Sequence, residues 1–146
     1  GDDFFDLTNK ERAQMFGYWA QFLGFMEWSV FDGATYCSAV PTRAIEMIAK
    51  STLKPGAAVA LGTFLSELSN KAPVLEGGVI RKEIEGRSRG RRDGLELSQT
   101  TSLALLRLKL KGSLSLDMAS DAEAWSICVA SDTPISVSHL TLSASI

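Results

Sequence analysis

The sequence predicts an α+β protein, and three observations carry that prediction. The stretch from Ser98 to Ala130 changes period partway along. Leu103, Leu106 and Leu110 recur at helical spacing, Gly112 interrupts, and Leu114, Leu116 and Met118 then alternate. Asp32-Gly33 separates two strand-like runs, Met26–Phe31 and Ala34–Ala39, and is the strongest short hairpin signal in the chain. Between these β signals lie amphipathic segments punctuated by Pro and Gly, as helices are.

The first element is a helix over Thr8–Gly24. Thr8 and Glu11 make a capping-box pattern, and Gly24 supplies the stop. Met15, Phe16, Trp19, Phe22 and Leu23 form a wide apolar face, which reads as core. The hairpin around Asp32-Gly33 follows, with Cys37 on its return strand. Pro41-Thr42 opens a second helix to about Thr52, with Ile45, Ile48 and Ala49 inward, because a proline in the first turn loses no needed hydrogen bond. Lys54-Pro55-Gly56 breaks the chain. A third helix is predicted from Ala57 to Ser69, carrying Leu61, Phe64, Leu65 and Leu68 on one stripe. After Glu76-Gly77-Gly78 comes a short helix over Val79–Glu85, with Ile80 and Ile84 one turn apart.

A glycine-spaced basic loop, Gly86-Arg87-Ser88-Arg89-Gly90-Arg91-Arg92-Asp93-Gly94, leads to the organising stretch. Ser98 is a plausible N-cap, Arg107, Lys109 and Lys111 suit the C-terminal end of the helix dipole, and Gly112 sits where a C′ glycine belongs. Leu106, Leu108 and Leu110 also alternate, which fits a strand over 105–111; the agreement of cap, leucine run and glycine favours helix. Two strands then fold back around the polar turn 119–123, the return strand being Ala124–Ala130. In the tail, Ile135 and Val137, then Leu140 and Leu142, suggest further strand, with Pro134 at its edge. The order helix, glycine, hairpin occurs at both Gly24 and Gly112. It is either a degenerate duplication or two uses of a common construction.

Composition narrows the function classes. Of 146 residues, 45% are hydrophobic and 22% charged, as in ordinary globular proteins. A formal charge of −2 and a pI near 5.4 give no overall attraction to nucleic acid or anionic lipid, so any such affinity must come from a local patch. Cys37 and Cys128, far apart in apolar contexts, read as buried free thiols of a reducing cytoplasm. No apolar run reaches the roughly 20 residues of a membrane span, and no signal peptide is visible. The first residues, Gly1-Asp2-Asp3, suggest a trimmed chain or part of something larger.

The helix order 57–69, 79–85, basic loop, 98–111, followed by a hairpin, resembles a winged helix–turn–helix domain over about residues 57–130. The match is one of pattern, carried by no diagnostic motif. It departs from the usual form in the long glycine-rich link before the third helix. The expected division is a helical and β-hairpin part over 1–55, which suggests an incomplete second winged helix, and a winged helix with a C-terminal strand over 56–146.

The resemblance implies duplex DNA as partner, and particular residues as its site. Arg87, Arg89, Arg91 and Arg92 would hold phosphates bidentately, unless they meet acidic neighbours such as Glu83, Glu85 and Asp93. Gln99 and Thr100, at the start of the third helix, would face base edges in the major groove. Ser98 reads as a cap, and Lys109 and Lys111 as solvated. Catalysis has little support: His139 is the only histidine and has no ligand or triad spacing, no Gly-x-Ser-x-Gly elbow occurs, and the Gly86/Gly90/Gly94 series lacks a P-loop's Lys-Ser/Thr. No metal or cofactor is expected. The rival reading is a non-catalytic interaction module, a homodimer or a subunit of a larger assembly, for which the aromatic-rich N-terminal half would serve as partner surface.

Overall fold

A computed structural model of the chain describes residues 10–23, 26–31, 34–38, 40–87, 94–127 and 134–144. It divides into two compact units, Gly1–Pro41 and Thr42–Ile146.

The first unit holds helix α1 (Lys10–Phe22) and an antiparallel hairpin, β1 (Glu27–Phe31) with β2 (Ala34–Ser38). The strands pair from Glu27↔Ser38 to Phe31↔Ala34, as the Asp-Gly signal requires; Asp32 and Gly33 themselves, like Thr8 and Gly24, lie outside the described residues. The apolar face of α1 is a correction. Phe16, Trp19 and Phe22 are 55%, 60% and 79% exposed, and Met15, Tyr18 and Leu23 are exposed with them, while Gly17 and Ala20 are buried. One helix and a two-stranded ribbon have too little surface to cover so many large side chains. Trp19 and Phe22 meet edge to face, with ring centroids 6.0 Å apart.

The second unit begins with α2 (Thr42–Thr52), β3 (Ala58–Ala60) and α3 (Leu61–Lys71). It continues with α4 (Val79–Arg87), α5 (Gln99–Leu110) and β4 (Leu114–Asp117), and ends with β5 (Trp125–Ile127), β6 (Ile135–Val137) and β7 (His139–Leu142). Helix α2 packs against both α5 and α3, so it belongs with the second unit, and the expected boundary at 55/56 falls inside that unit. Ile45 and Ala49 of α2 are buried, as are Phe64, Leu65 and Leu68 of α3 and Ala104, Leu105 and Leu108 of α5.

Helix, not strand, occupies 99–110. Its end is a Schellman motif: the Ser113 amide donates to Leu108 O (2.9 Å) and the Gly112 amide to Lys109 O (3.0 Å), with Gly112 at φ +77°. The predicted start of α3 is corrected. Residues 58–60 are extended, Gly56 turns the chain at φ +78°, and its amide reaches Leu142 O (2.8 Å). The run Ala57–Ala60 has no helical stripe of its own, and pairing with β7 satisfies its backbone instead.

The expected hairpin of 114–118 with 124–130 is also corrected. β4 pairs with β7, and β5 pairs with β6. Matching of apolar faces explains the choice, because Leu114 lies opposite Leu142, Leu116 opposite Leu140, Trp125 opposite Val137 and Ile127 opposite Ile135. The result is a three-stranded antiparallel sheet in the order β3-β7-β4, with β5 and β6 forming a two-stranded ribbon of their own. Cys128 lies outside the described residues.

Candidate nucleic-acid interface

The start of α5 is held from two directions. On one side is the turn between α3 and α4. There the Pro73 carbonyl accepts from the amides of Ile80 (3.1 Å) and Arg81 (3.2 Å), satisfying two donors at the start of α4. Gly78 folds so closely over Pro73 that a β-carbon would stand 2.2 Å from the Pro73 oxygen, and Gly77 takes φ +73°. This turn delivers Glu76, itself buried, to Ser98. Its Oε2 accepts from the Ser98 amide at 2.9 Å and from the Ser98 hydroxyl at 2.6 Å.

The same hydroxyl accepts from the Thr101 amide (3.3 Å), confirming Ser98 as the N-cap, and lies 2.9 Å from Thr101 Oγ1 and 3.2 Å from Thr100 Oγ1. The negative carboxylate stands where the helix dipole favours it. On the other side is β5. The Ser126 amide donates to Leu95 O (2.8 Å) and the Leu97 amide to Ser126 O (3.0 Å), so Glu96 makes a single parallel bridge to Ser126 of β5.

Of the residues expected to read bases, Gln99 is exposed and Thr100 is half-buried within reach of the cap hydroxyl. Arg87 is the last residue of α4; its side chain, together with Arg89, Arg91 and Arg92, lies outside the described residues. The described ends of the basic loop are therefore the C-terminus of α4 and Gly94, just ahead of the held segment 95–98. Within α4, Arg81 is paired with Glu85 at 2.6 Å and Lys82 is exposed.

At the far end of α5, Lys111 is exposed to solvent, as expected, and also holds an ion pair. Its Nζ lies 2.9 and 3.0 Å from the two carboxylate oxygens of Glu46 on α2, which also accepts from Ser113 Oγ (3.3 Å) and pairs with Lys50 (3.1 Å). The hydrogen bond and charge of Lys111, followed by those of Lys50, hold the Glu46 carboxyl below its ordinary value despite burial acting the other way.

The outward side of α5 carries Gln99, Leu103, Leu106 and Leu110 in one stripe. Leu103 and Leu106 are half-buried and Leu110 is 87% exposed. Leu103, Leu106 and Leu110 stand out in the sequence as the periodic leucines of this helix, but the side that is buried carries Thr101, Ala104, Leu105 and Leu108 instead. Glu76 gave no signal, since its partner lies 22 residues along the chain.

Ser138 and His139 are built into the sheet. Ser138 Oγ accepts from the Ala119 amide (2.8 Å) and lies 2.9 Å from His139 Nδ1, and the serine is buried. Among the described residues no group of three or more His, Cys, Asp or Glu side chains is placed to hold a metal ion, and no helix is long and apolar enough to cross a membrane.

No curated protein and no solved structure matches the chain. The family model described as DpdG-like matches residues 1–122, most of the chain and all of the elements from α1 to β4. The chain belongs to the DpdG-like family.

Proposed function

We propose that the second unit is a non-catalytic winged helix–turn–helix that binds duplex DNA, with α5 as the helix offered to the major groove. One observation carries the reading. Helix α5 runs through Gly112 straight into β4, which pairs with β7, and α2 packs against the helix. In this reading the three helices of the domain are α2, α3 and α5. The shorter α4, which the sequence pattern had put among them, is an insertion bearing the basic loop. Arg87, Arg89, Arg91 and Arg92 set the domain on phosphates, and Gln99 and Thr100 meet base edges.

The test is fluorescence anisotropy of a labelled duplex titrated at several salt concentrations. The wild type is expected to bind with a slope of log K on log salt of roughly −3 to −4, if each arginine neutralises one phosphate. Changing all four arginines to alanine should abolish that binding. Salt-insensitive silence at high protein concentration overturns the reading.

A second reading has one observation in its favour. Three of the four outward positions of α5 are leucine, and Leu110 is almost fully exposed, which suits a protein partner better than a polar groove. Under that reading Leu110→Gln removes the capture of a partner or of a second copy and leaves DNA out of the account.

A further inference from the structure

We propose that Glu76 is a positioning residue for the base-reading start of α5, one that sets sequence discrimination without touching the duplex. The inference rests on the DNA-binding reading above. Glu76 is 7% exposed, so its carboxylate does not face a ligand; it faces Ser98. Through one oxygen it accepts both the amide and the hydroxyl of that residue, at 2.9 and 2.6 Å. Two charge-assisted hydrogen bonds to a single buried residue fix both its backbone and its rotamer.

Ser98 is held at φ −62°, ψ 150°, and the next residue is Gln99, exposed at the first position of the helix. The direction in which Gln99 leaves the helix therefore follows from the geometry at Ser98. The turn that carries Glu76 cannot easily yield, because Gly78 lies against Pro73 and the Pro73 oxygen is held by Ile80 and Arg81. The two backbone hydrogen bonds of Ser126, to Leu95 and Leu97, restrain the segment just ahead of Ser98 as well. Phosphate contacts, by contrast, come from the basic loop and carry no sequence information. Loosening Ser98 should therefore cost discrimination and leave general attraction intact.

The experiment selects preferred sites from a random-sequence duplex pool with the wild-type protein. It then measures anisotropy on the selected duplex and on a scrambled one, at several salt concentrations, for wild type, Glu76→Ala and Glu76→Gln. For Glu76→Ala the preference for the selected duplex should fall about tenfold, the order of one lost base contact, with affinity and salt slope on the scrambled duplex unchanged. Glu76→Gln retains an oxygen acceptor and should fall between. Should Glu76→Ala fail to fold by circular dichroism, Ser98→Ala serves in its place, keeping the amide contact and losing the hydroxyl.

An unchanged preference ratio, or an equal loss on both duplexes, overturns the positioning role while the DNA-binding reading stands. A wild type that enriches no sequence also overturns it. A wild type that binds no duplex at all overturns the reading before any variant is compared, and the positioning role with it.

Discussion

Lys111 grips both carboxylate oxygens of Glu46, at 2.9 and 3.0 Å, and thereby ties the end of α5 to the middle of α2. The Glu46 side chain is only 13% exposed while that of Lys111 is 58% exposed, so solvent screens the pair from the lysine side. Because the Glu46 carboxyl titrates below its ordinary value of 4.5, its contribution to stability is fully present above that value and is lost as pH falls through the depressed one. Glu46→Gln is expected to cost about 1 kcal/mol at pH 7. The difference from wild type should vanish in acid, as urea unfolding at a series of pH values would measure.

Two glycines should respond differently to alanine. At Gly112 a β-carbon meets nothing within 4 Å, so the cost of Gly112→Ala is that of φ +77° alone, about 1 kcal/mol. At Gly78 the same methyl collides with the Pro73 backbone at 2.2 Å, and Gly78→Ala should cost roughly 3 kcal/mol. Equal midpoint shifts in urea for the two variants would contradict this account of the turn.

Leu108 and Leu110 are near neighbours on one helix with opposite fates. Leu108 is fully buried, and Leu108→Ala should cost about 2–5 kcal/mol. Leu110→Gln should leave stability within about 0.5 kcal/mol. Were residues 105–111 a strand instead, both side chains would share one face and respond alike.

The face of α1 gives a fourth expectation. Phe22→Ser and Trp19→Ser remove side chains that are 79% and 60% exposed, so thermal midpoints should hardly move. Aggregation at high concentration, followed by light scattering, should fall.

The sequence was most legible where a local rule decides the outcome. Ser98, the leucine spacing and Gly112 located α5 to within a residue at each end, because cap and stop are chemistry of the chain's own neighbours. Asp32-Gly33 gave the pairing of β1 with β2 for the same reason. Strand partners beyond a tight turn were not legible. Leu114 and Leu116 advertise an apolar face, but Leu140, Leu142 and the 124–130 run all offer a match, and only the folded chain decides among them. The aromatic stripe of α1 misled because periodicity reports an apolar face and not whether anything covers it. At the candidate interface, Gln99 and the arginines could be picked by residue type. Glu76 could not, since a carboxylate that caps a helix from a distant turn looks in sequence like any surface acid.

The position of β7 has a practical consequence for anyone trimming this protein to the part its family shares. The DpdG-like match stops at residue 122, yet the strand lying between β3 and β4 is drawn from 139–142. A fragment cut at that limit would leave two short strands with no common neighbour, their ladder groups bare and the inner faces of Leu114 and Leu116 open to water. An expression boundary chosen by similarity alone would thus remove the keystone of the sheet.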